Sequence, residues 1–350
     1  MERGVFTAEE IDRILKSMGI KGRTAVMRYG SGYINDTFKV DVEGGCSYIL
    51  QHVNTKIFTP EALNVLKRTV LRVTEYLKTK GLPTLDFVAY ENPWRLFKFY
   101  SGYSAFNVIE SPEQAYVVGK AFAGFHDSLS DLPAPRLEEV LPGFHNTRSR
   151  LADFDEAMLA DRVGRVSKVG REIDFVNSRR AHAERVMSLL EQGELPERVI
   201  HSDSKINNVL VAPNGEAVVI DLDTVMPGSI LSDFGDMVRT STASAAEDEA
   251  DLSKVYSRLD YFEALARGYI ERARFLSSVE VANLVFAGQI STFEVGVRFL
   301  TDYLNGDLYF RVNYPEHNIV RARNQFKMVE SLEANASAYE EIVSRLYKVI

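Results

Sequence analysis

Residues 201–224, HSDSKINNVLVAPNGEAVVIDLDT, constrain this chain more than any other stretch. Asn214-Gly215 signals a hairpin, because a type I′ turn needs positive φ at both central positions. The flanking runs Val209–Val211 and Ala217–Ile220 are apolar on both faces, which marks a buried strand pair. With a two-residue loop, Asn208 stands opposite Asp221, and directly opposed Cβ atoms lie about 4.5–5.5 Å apart. Pro213 allows a longer loop and a shifted register. An amide oxygen and a carboxylate meeting at the open end suit a hard cation such as Mg²⁺, which takes few protein ligands and leaves room for phosphate oxygens. The plainer reading is a hairpin with Asp at its ends as turn residues, although unpaired buried charge is costly.

Asp203 favours the chemical reading. It lies five residues before Asn208, in a polar loop with His201 and Lys205. Asp, then Asn, then a hairpin, then Asp is the layout of a phosphoryl-transfer centre: one Asp accepts the hydroxyl proton, while Asn and a second Asp hold Mg²⁺. The protein-kinase version reads H-R-D-x-x-x-x-N followed by D-F-G. Here His201-Ser202-Asp203 and Asn208 are followed by Asp221-Leu222-Asp223. The tripeptide Asp233-Phe234-Gly235 spells the kinase motif too late, after Pro227-Gly228 and at a helix start. Asp233 is therefore expected to be a cap or structural residue.

The 350 residues suffice for two lobes with sizeable cores. A net charge of −8 argues against nucleic acid or an anionic membrane as a main partner. Cys46 is the only cysteine, so neither an internal disulfide nor a cysteine zinc cluster is available. The N-terminal MERGVFTAEEIDRILKSMG reads as an amphipathic helix without an apolar signal core. No apolar run approaches about 18 residues, and a cytoplasmic setting is expected.

Strands are expected near 23–29, 34–42, 46–52, 84–91 and 94–101, with a helix at 59–81. Beyond residue 103 the patterns are mainly helical: 112–131, 171–193, 252–275, 278–304 and 318–349. This predicts an α+β chain with a two-lobed, protein-kinase-like fold, in which a small antiparallel-sheet N-lobe (1–103) precedes a larger helical C-lobe (104–350). The crossover falls near Tyr100–Tyr103. Gly30-Ser31-Gly32 then becomes a turn between antiparallel strands whose N–H groups approach phosphate oxygens, although a plain hairpin explains it equally well. The third strand, Tyr48–His52, lacks the Lys that kinases use on phosphates. Gln51 or Lys39 substitutes, or backbone and metal suffice. The missing Lys and the lack of Ala-Pro-Glu after the metal Asp argue against an ordinary protein kinase.

These residues, with YGSGYIND, YILQHVNTKIF, HSDSKINN, VIDLDTVMPGSILSDFGD, EDEADLSKV and RFLTDYLNGDLYF, resemble the bacterial N-acetylhexosamine 1-kinases of the aminoglycoside phosphotransferase and choline kinase superfamily. The resemblance runs through most of the chain. It implies ATP- and Mg²⁺-dependent phosphorylation of the anomeric hydroxyl of N-acetylglucosamine or N-acetylgalactosamine. It implies Asp203 as base, Asn208 and Asp221 on Mg²⁺, Asp223 assisting from behind, and the backbone of Gly30, Ser31 and Gly32 over the phosphates. Phe99 and Tyr100 match the adenine region, and Arg298 and Tyr309 match sugar-binding positions. Read without it, Arg298 is a buried Arg needing a partner and Tyr309 a turn residue. The family carries His after the second glycine; Tyr33 stands here, at a position that faces the sugar, which leaves the preferred hexosamine open.

Two alternatives remain: a kinase for another small alcohol (choline, homoserine or an aminoglycoside), and a nucleotide-binding regulator without activity. For a cationic substrate, Glu247–Asp251 is the available acidic run, more simply a solvated helix start. The complete Asp203, Asn208 and Asp221 set argues against the regulator. His201 is expected to order its loop, and His126 and His317 to be structural or surface residues.

Overall fold

The computed structural model describes residues 4, 6–30, 34–106, 108–132 and 137–348. Helix α1 (Ala8–Ser17) opens on a capping box in which Thr7 and Glu10 satisfy each other's backbone N–H groups. Strands β1 (Thr24–Arg28), β2 (Asp36–Val42) and β3 (Ser47–His52) follow, then α2 (Pro60–Thr79), β4 (Phe87–Glu91) and β5 (Trp94–Lys98). They form one antiparallel sheet in the order β1-β2-β3-β5-β4. Alternation along the strands sorts their side chains. Phe38, Val40, Leu50 and Leu96 pack against Ile11 and Leu15 of α1. Their neighbours Gln51 and Arg95, paired across β3 and β5, therefore point to the other face.

After a turn at 101–102 the chain enters the helical lobe through β6 (Ser104–Ala105) and α3 (Pro112–Leu129). Next come α4 (Thr147–Ala160), α5 (Gly170–Ala183), α6 (Arg185–Glu191) and four short strands: β7 (Arg198–Ile200), β8 (Val209–Val211), β9 (Ala217–Val219) and β10 (Met226–Gly228). The remainder is α7 (Ile230–Thr242), α8 (Leu259–Ile270), α9 (Ser278–Ala282), α10 (Leu284–Leu304), α11 (His317–Ala334) and α12 (Ala336–Lys348). Strand β6 joins β8 and β9, while β7 pairs with β10. Helices α3 and α8 approach so closely that a Cβ on Gly119 would lie 2.3 Å from the Leu265 carbonyl, and one on Gly268 2.2 Å from that of Tyr116. Helix α10 packs against α4, α7 and α11 and centres the C-lobe core. Among the described residues no helix is long and apolar enough to cross a membrane.

The hairpin register differs from the two-residue expectation. Val209 pairs with Val219 and Val211 with Ala217, and Ile220 N–H donates to the Asn208 carbonyl at 2.9 Å. Asn208 thus faces Ile220 rather than Asp221. Pro213 joins Asn214 and Gly215 in a three-residue loop: Gly215, at φ +82°, donates to the Ala212 carbonyl at 2.9 Å. The acidic run 247–251 also starts no α-helix. It is turn and loop ahead of a 3₁₀ segment, Leu252–Lys254, whose cap is Asp251.

Candidate active site

The loop after β7 is held by contacts within the protein. The Asp233 carboxylate accepts the N–H groups of His201 (2.6 Å) and Ser202 (2.7 Å), and its Oδ2 also meets His126 Nε2 at 2.7 Å. Asp233 lies in the first turn of α7 and is 1 % exposed, while the N-cap is Ser229. It is a structural residue, as its late position suggested. His201 Nδ1 accepts from Asp203 N–H at 3.3 Å, leaving Nε2–H to donate to the Ile220 carbonyl at 2.9 Å. Burial lowers the His201 pKa and keeps the ring neutral. Ser202 and Asp221 hold positive φ, 65° and 59°, and strain of this kind collects at functional sites. His126 and His317 are both buried; the second meets Asp248 at 3.2 Å.

Asp203 Oδ2 accepts from Lys205 Nζ at 2.7 Å and from Asn208 Nδ2 at 2.9 Å. Burial alone would raise this carboxyl. The Lys205 charge and hydrogen bond, with His201 and Asn208, outweigh it and hold the pKa below the ordinary value. Asn208 Nδ2 also donates to the Asp203 carbonyl at 2.7 Å, which leaves the amide Oδ1 as its metal-capable atom. Asp221 is the opposite case. Burial, then the Asp223 and Asp203 charges, push its pKa up to about 7 against the pull of Lys205 and Arg95. A carboxyl so short of positive charge fits a divalent cation. Among the described residues no three His, Cys, Asp or Glu side chains form a ready metal cage.

On the sheet side, Gly30 follows β1 at φ +77°; Ser31, Gly32 and Tyr33 lie outside the described residues. Phe99 N–H donates to the Ser47 carbonyl at 3.0 Å, and its ring meets Tyr29 edge-on. Tyr100 Oη donates to the Thr84 carbonyl at 2.6 Å. Of the candidate replacements for the third-strand Lys, Lys39 pairs with Asp41 at 2.9 Å and lies over the Phe99 ring. Gln51 serves a residue the sequence reading missed, Arg95. This buried guanidinium donates to Gln51 and reaches Asp223 at 2.5 and 2.9 Å. Asp223 thus does not stand free behind Asp221. Finding Arg95 from sequence would require knowing that β3 pairs with β5.

In the helical lobe, Arg298 of α10 lies over the rings of Phe144, Phe310 and Tyr309, at 5.1, 5.6 and 5.9 Å. Its charge also reaches Glu294, whose pKa it helps to lower. Tyr309 is 45 % exposed, on a loop whose shape Asp302 dictates by accepting the N–H groups of Leu308, Tyr309 and Phe310 at 2.9, 2.7 and 2.9 Å. One turn before Arg298, Glu294 binds Thr147 and His145, and His145 Nε2 reaches the Ser202 carbonyl at 2.8 Å. His145 and Glu294, unnoticed in the sequence, connect the Arg298 helix to the Asp203 loop.

With this geometry in hand, the comparisons are direct. The sequence profile of the phosphotransferase enzyme family (APH) matches residues 25–274, and the chain belongs to that family. Its fold is that of an aminoglycoside phosphotransferase from Alicyclobacillus acidocaldarius (TM-score 0.60, 13% identity, covering 91% of this chain and 92% of that one). It is also that of a microcompartment-associated aminopropanol kinase (0.62, 15%, 94% and 98%). An amicoumacin kinase solved with AMP-PNP and Ca²⁺ is similar too (0.57, 13%, 93% and 96%). The protein is a small-molecule phosphotransferase with the two-lobed kinase-like fold.

Proposed function

We propose that the chain is an ATP- and Mg²⁺-dependent kinase that converts an N-acetylhexosamine, GlcNAc or GalNAc, to its 1-phosphate. The observation that carries this reading is the Asp203 carboxylate, gripped at Oδ2 by Lys205 and Asn208 so that Oδ1 is left for a substrate hydroxyl. The C1 oxygen attacks the γ-phosphorus, the bond to the β,γ-bridging oxygen breaks with its electron pair leaving on ADP, and the hydroxyl proton passes to Asp203. Asn208 and Asp221 would hold the metal, which when bound supplies charge neutralisation between the phosphates. The backbone at Gly30 would cover them, with the Phe99–Tyr100 segment against adenine.

The sugar assignment is supported by Arg298. The Arg298 guanidinium disfavours the ammonium groups of choline, ethanolamine or an aminoglycoside, its charge being offset in part by Glu294 one turn away. It offers N–H donors to ring hydroxyls and an acetamido carbonyl, while Tyr309 gives the sugar a face to pack on. The test is the product: after incubation with GlcNAc, ATP and Mg²⁺, the new phosphorus resonance should couple to the anomeric proton. A phosphate coupled instead to the C6 protons, or no sugar phosphate at all, contradicts the reading.

A further inference from the structure

Strand β3 has Gln51 where kinases carry a lysine, and the buried cation sits one strand away. Arg95 on β5 is the direct cross-strand partner of Gln51 and is 2 % exposed. Its Nε donates to Gln51 Oε1 at 2.8 Å, its Nη1 to Asp223 Oδ1 at 2.5 Å and its Nη2 to Asp223 Oδ2 at 2.9 Å. Gln51 is itself held, donating to Thr37 Oγ1 at 2.9 Å. Asn35, between β1 and β2, adds a 2.8 Å hydrogen bond to Asp223 Oδ2 and accepts Asn54 N–H at 3.1 Å. Arg95 and Asn35 of the sheet lobe thus converge on one carboxylate of the helical lobe, two residues beyond Asp221, with Gln51 holding Arg95 in place. Both Asp223 oxygens are occupied, and the Arg95 donors are directed to protein partners rather than to open space.

We propose that Arg95 is a positioning residue for phosphoryl transfer. It takes the place of the third-strand lysine by clamping Asp223 rather than by touching phosphate. The clamp sets the sheet, with Gly30 at the end of its first strand, at a fixed height above the Asp221 loop. It also keeps Asp223 out of the metal's coordination sphere, so that Asp221 and Asn208 are the metal's side-chain ligands. Bidentate geometry is what the role requires, and a lysine, being a point charge, does not reproduce it. The inference rests on the reading of Asp221 as the metal ligand.

The test compares Arg95→Lys, Arg95→Met/Asp223→Asn and Asn35→Ala with the native protein by melting temperature, calorimetric titration with ADP plus Mg²⁺, and steady-state kinetics. Arg95→Lys should weaken ADP–Mg²⁺ binding and raise KM for ATP by about tenfold or more, with KM for the acceptor unchanged. The double variant, which leaves no unpaired buried charge, should melt close to the native protein yet keep the deficit in nucleotide binding and kcat. Asn35→Ala spares the ion pair and should fold, with a smaller loss of the same kind. Native nucleotide binding and turnover in Arg95→Lys, or in the double variant, overturn the proposal: the first means that charge alone suffices, the second that the pair is merely structural. A native protein that binds ADP–Mg²⁺ but phosphorylates no sugar refutes the sugar-kinase reading and leaves the clamp to be judged by the binding data.

Discussion

Lys205 donates to Oδ2 of Asp203 at 2.7 Å from two residues further along the same loop, and it is this ammonium that keeps a covered carboxylate ionised. Asp203→Asn should therefore lose about 10²–10⁴ in kcat, the usual worth of a positioned acid or base, with a small fall in melting temperature at neutral pH because a carboxyl of lowered pKa contributes stability there. Lys205→Met should raise the Asp203 pKa and move the acid limb of the kcat/KM profile to higher pH. Steady-state kinetics across pH checks both. Near-native turnover in Asp203→Asn removes this residue from the mechanism.

Asp221 and Asp233 should separate cleanly. The Asp221 pKa is raised to about 7 by burial and by Asp223 and Asp203. A raised folded-state value contributes stability that is fully present below the unfolded value, about 3.9, and is lost as pH rises through about 7. Asp221→Ala should then melt higher than the metal-free native protein at pH 8, with a smaller gain at pH 5, while losing activity. Asp233→Ala strands two buried N–H groups and His126, and should lose about 3–5 kcal/mol of stability. Thermal unfolding with and without Mg²⁺ measures both. An active Asp221→Ala beside a folded, inactive Asp233→Ala would reverse the assignment.

His145 should make the site pH-dependent from the alkaline side. Burial lowers its pKa, but the Glu294 hydrogen bond and charge, the Ser202 carbonyl and the charge of Asp233 together raise it above the ordinary value. The imidazolium's contribution is present below about 6.5 and fades as pH climbs through the raised folded value. His145→Gln keeps one hydrogen bond and removes the titration, so its kcat should be lower than native at pH 6 and flatter with pH. A native pH profile in that variant excludes His145.

Arg298→Met keeps an unbranched side chain among the Phe144, Tyr309 and Phe310 rings. It should raise KM for the sugar by about tenfold or more, since a hydrogen bond to a charged group contributes about 1.5–3 kcal/mol, and leave KM for ATP unchanged. An unchanged sugar KM places the acceptor elsewhere.

The two-lobed architecture was legible because its signals are local: alternation in the first 100 residues, helical spacing after them, and the Asp203 and Asn208 spacing around a hairpin. What escaped depended on long-range pairing or on weak patterns. The hairpin register hung on Pro213, which lengthens the loop by one residue. Helix α4 has its apolar positions Leu151, Phe154 and Ala157 diluted by charge, and β6 is two residues that exist only because β8 is there to pair with. Arg95 and His145 carry no spacing signal at all. Each becomes notable when its partner, Asp223 or Ser202, is brought over more than 50 intervening residues by the fold.

The most direct test of the central claim is ATP consumption with Mg²⁺ across one panel of acceptors: N-acetylglucosamine, N-acetylgalactosamine, glucose, galactose, choline, homoserine and an aminoglycoside. The account predicts turnover on the N-acetylated sugars, abolished by Asp203→Asn. Silence on every sugar with turnover on choline, homoserine or the aminoglycoside would contradict it.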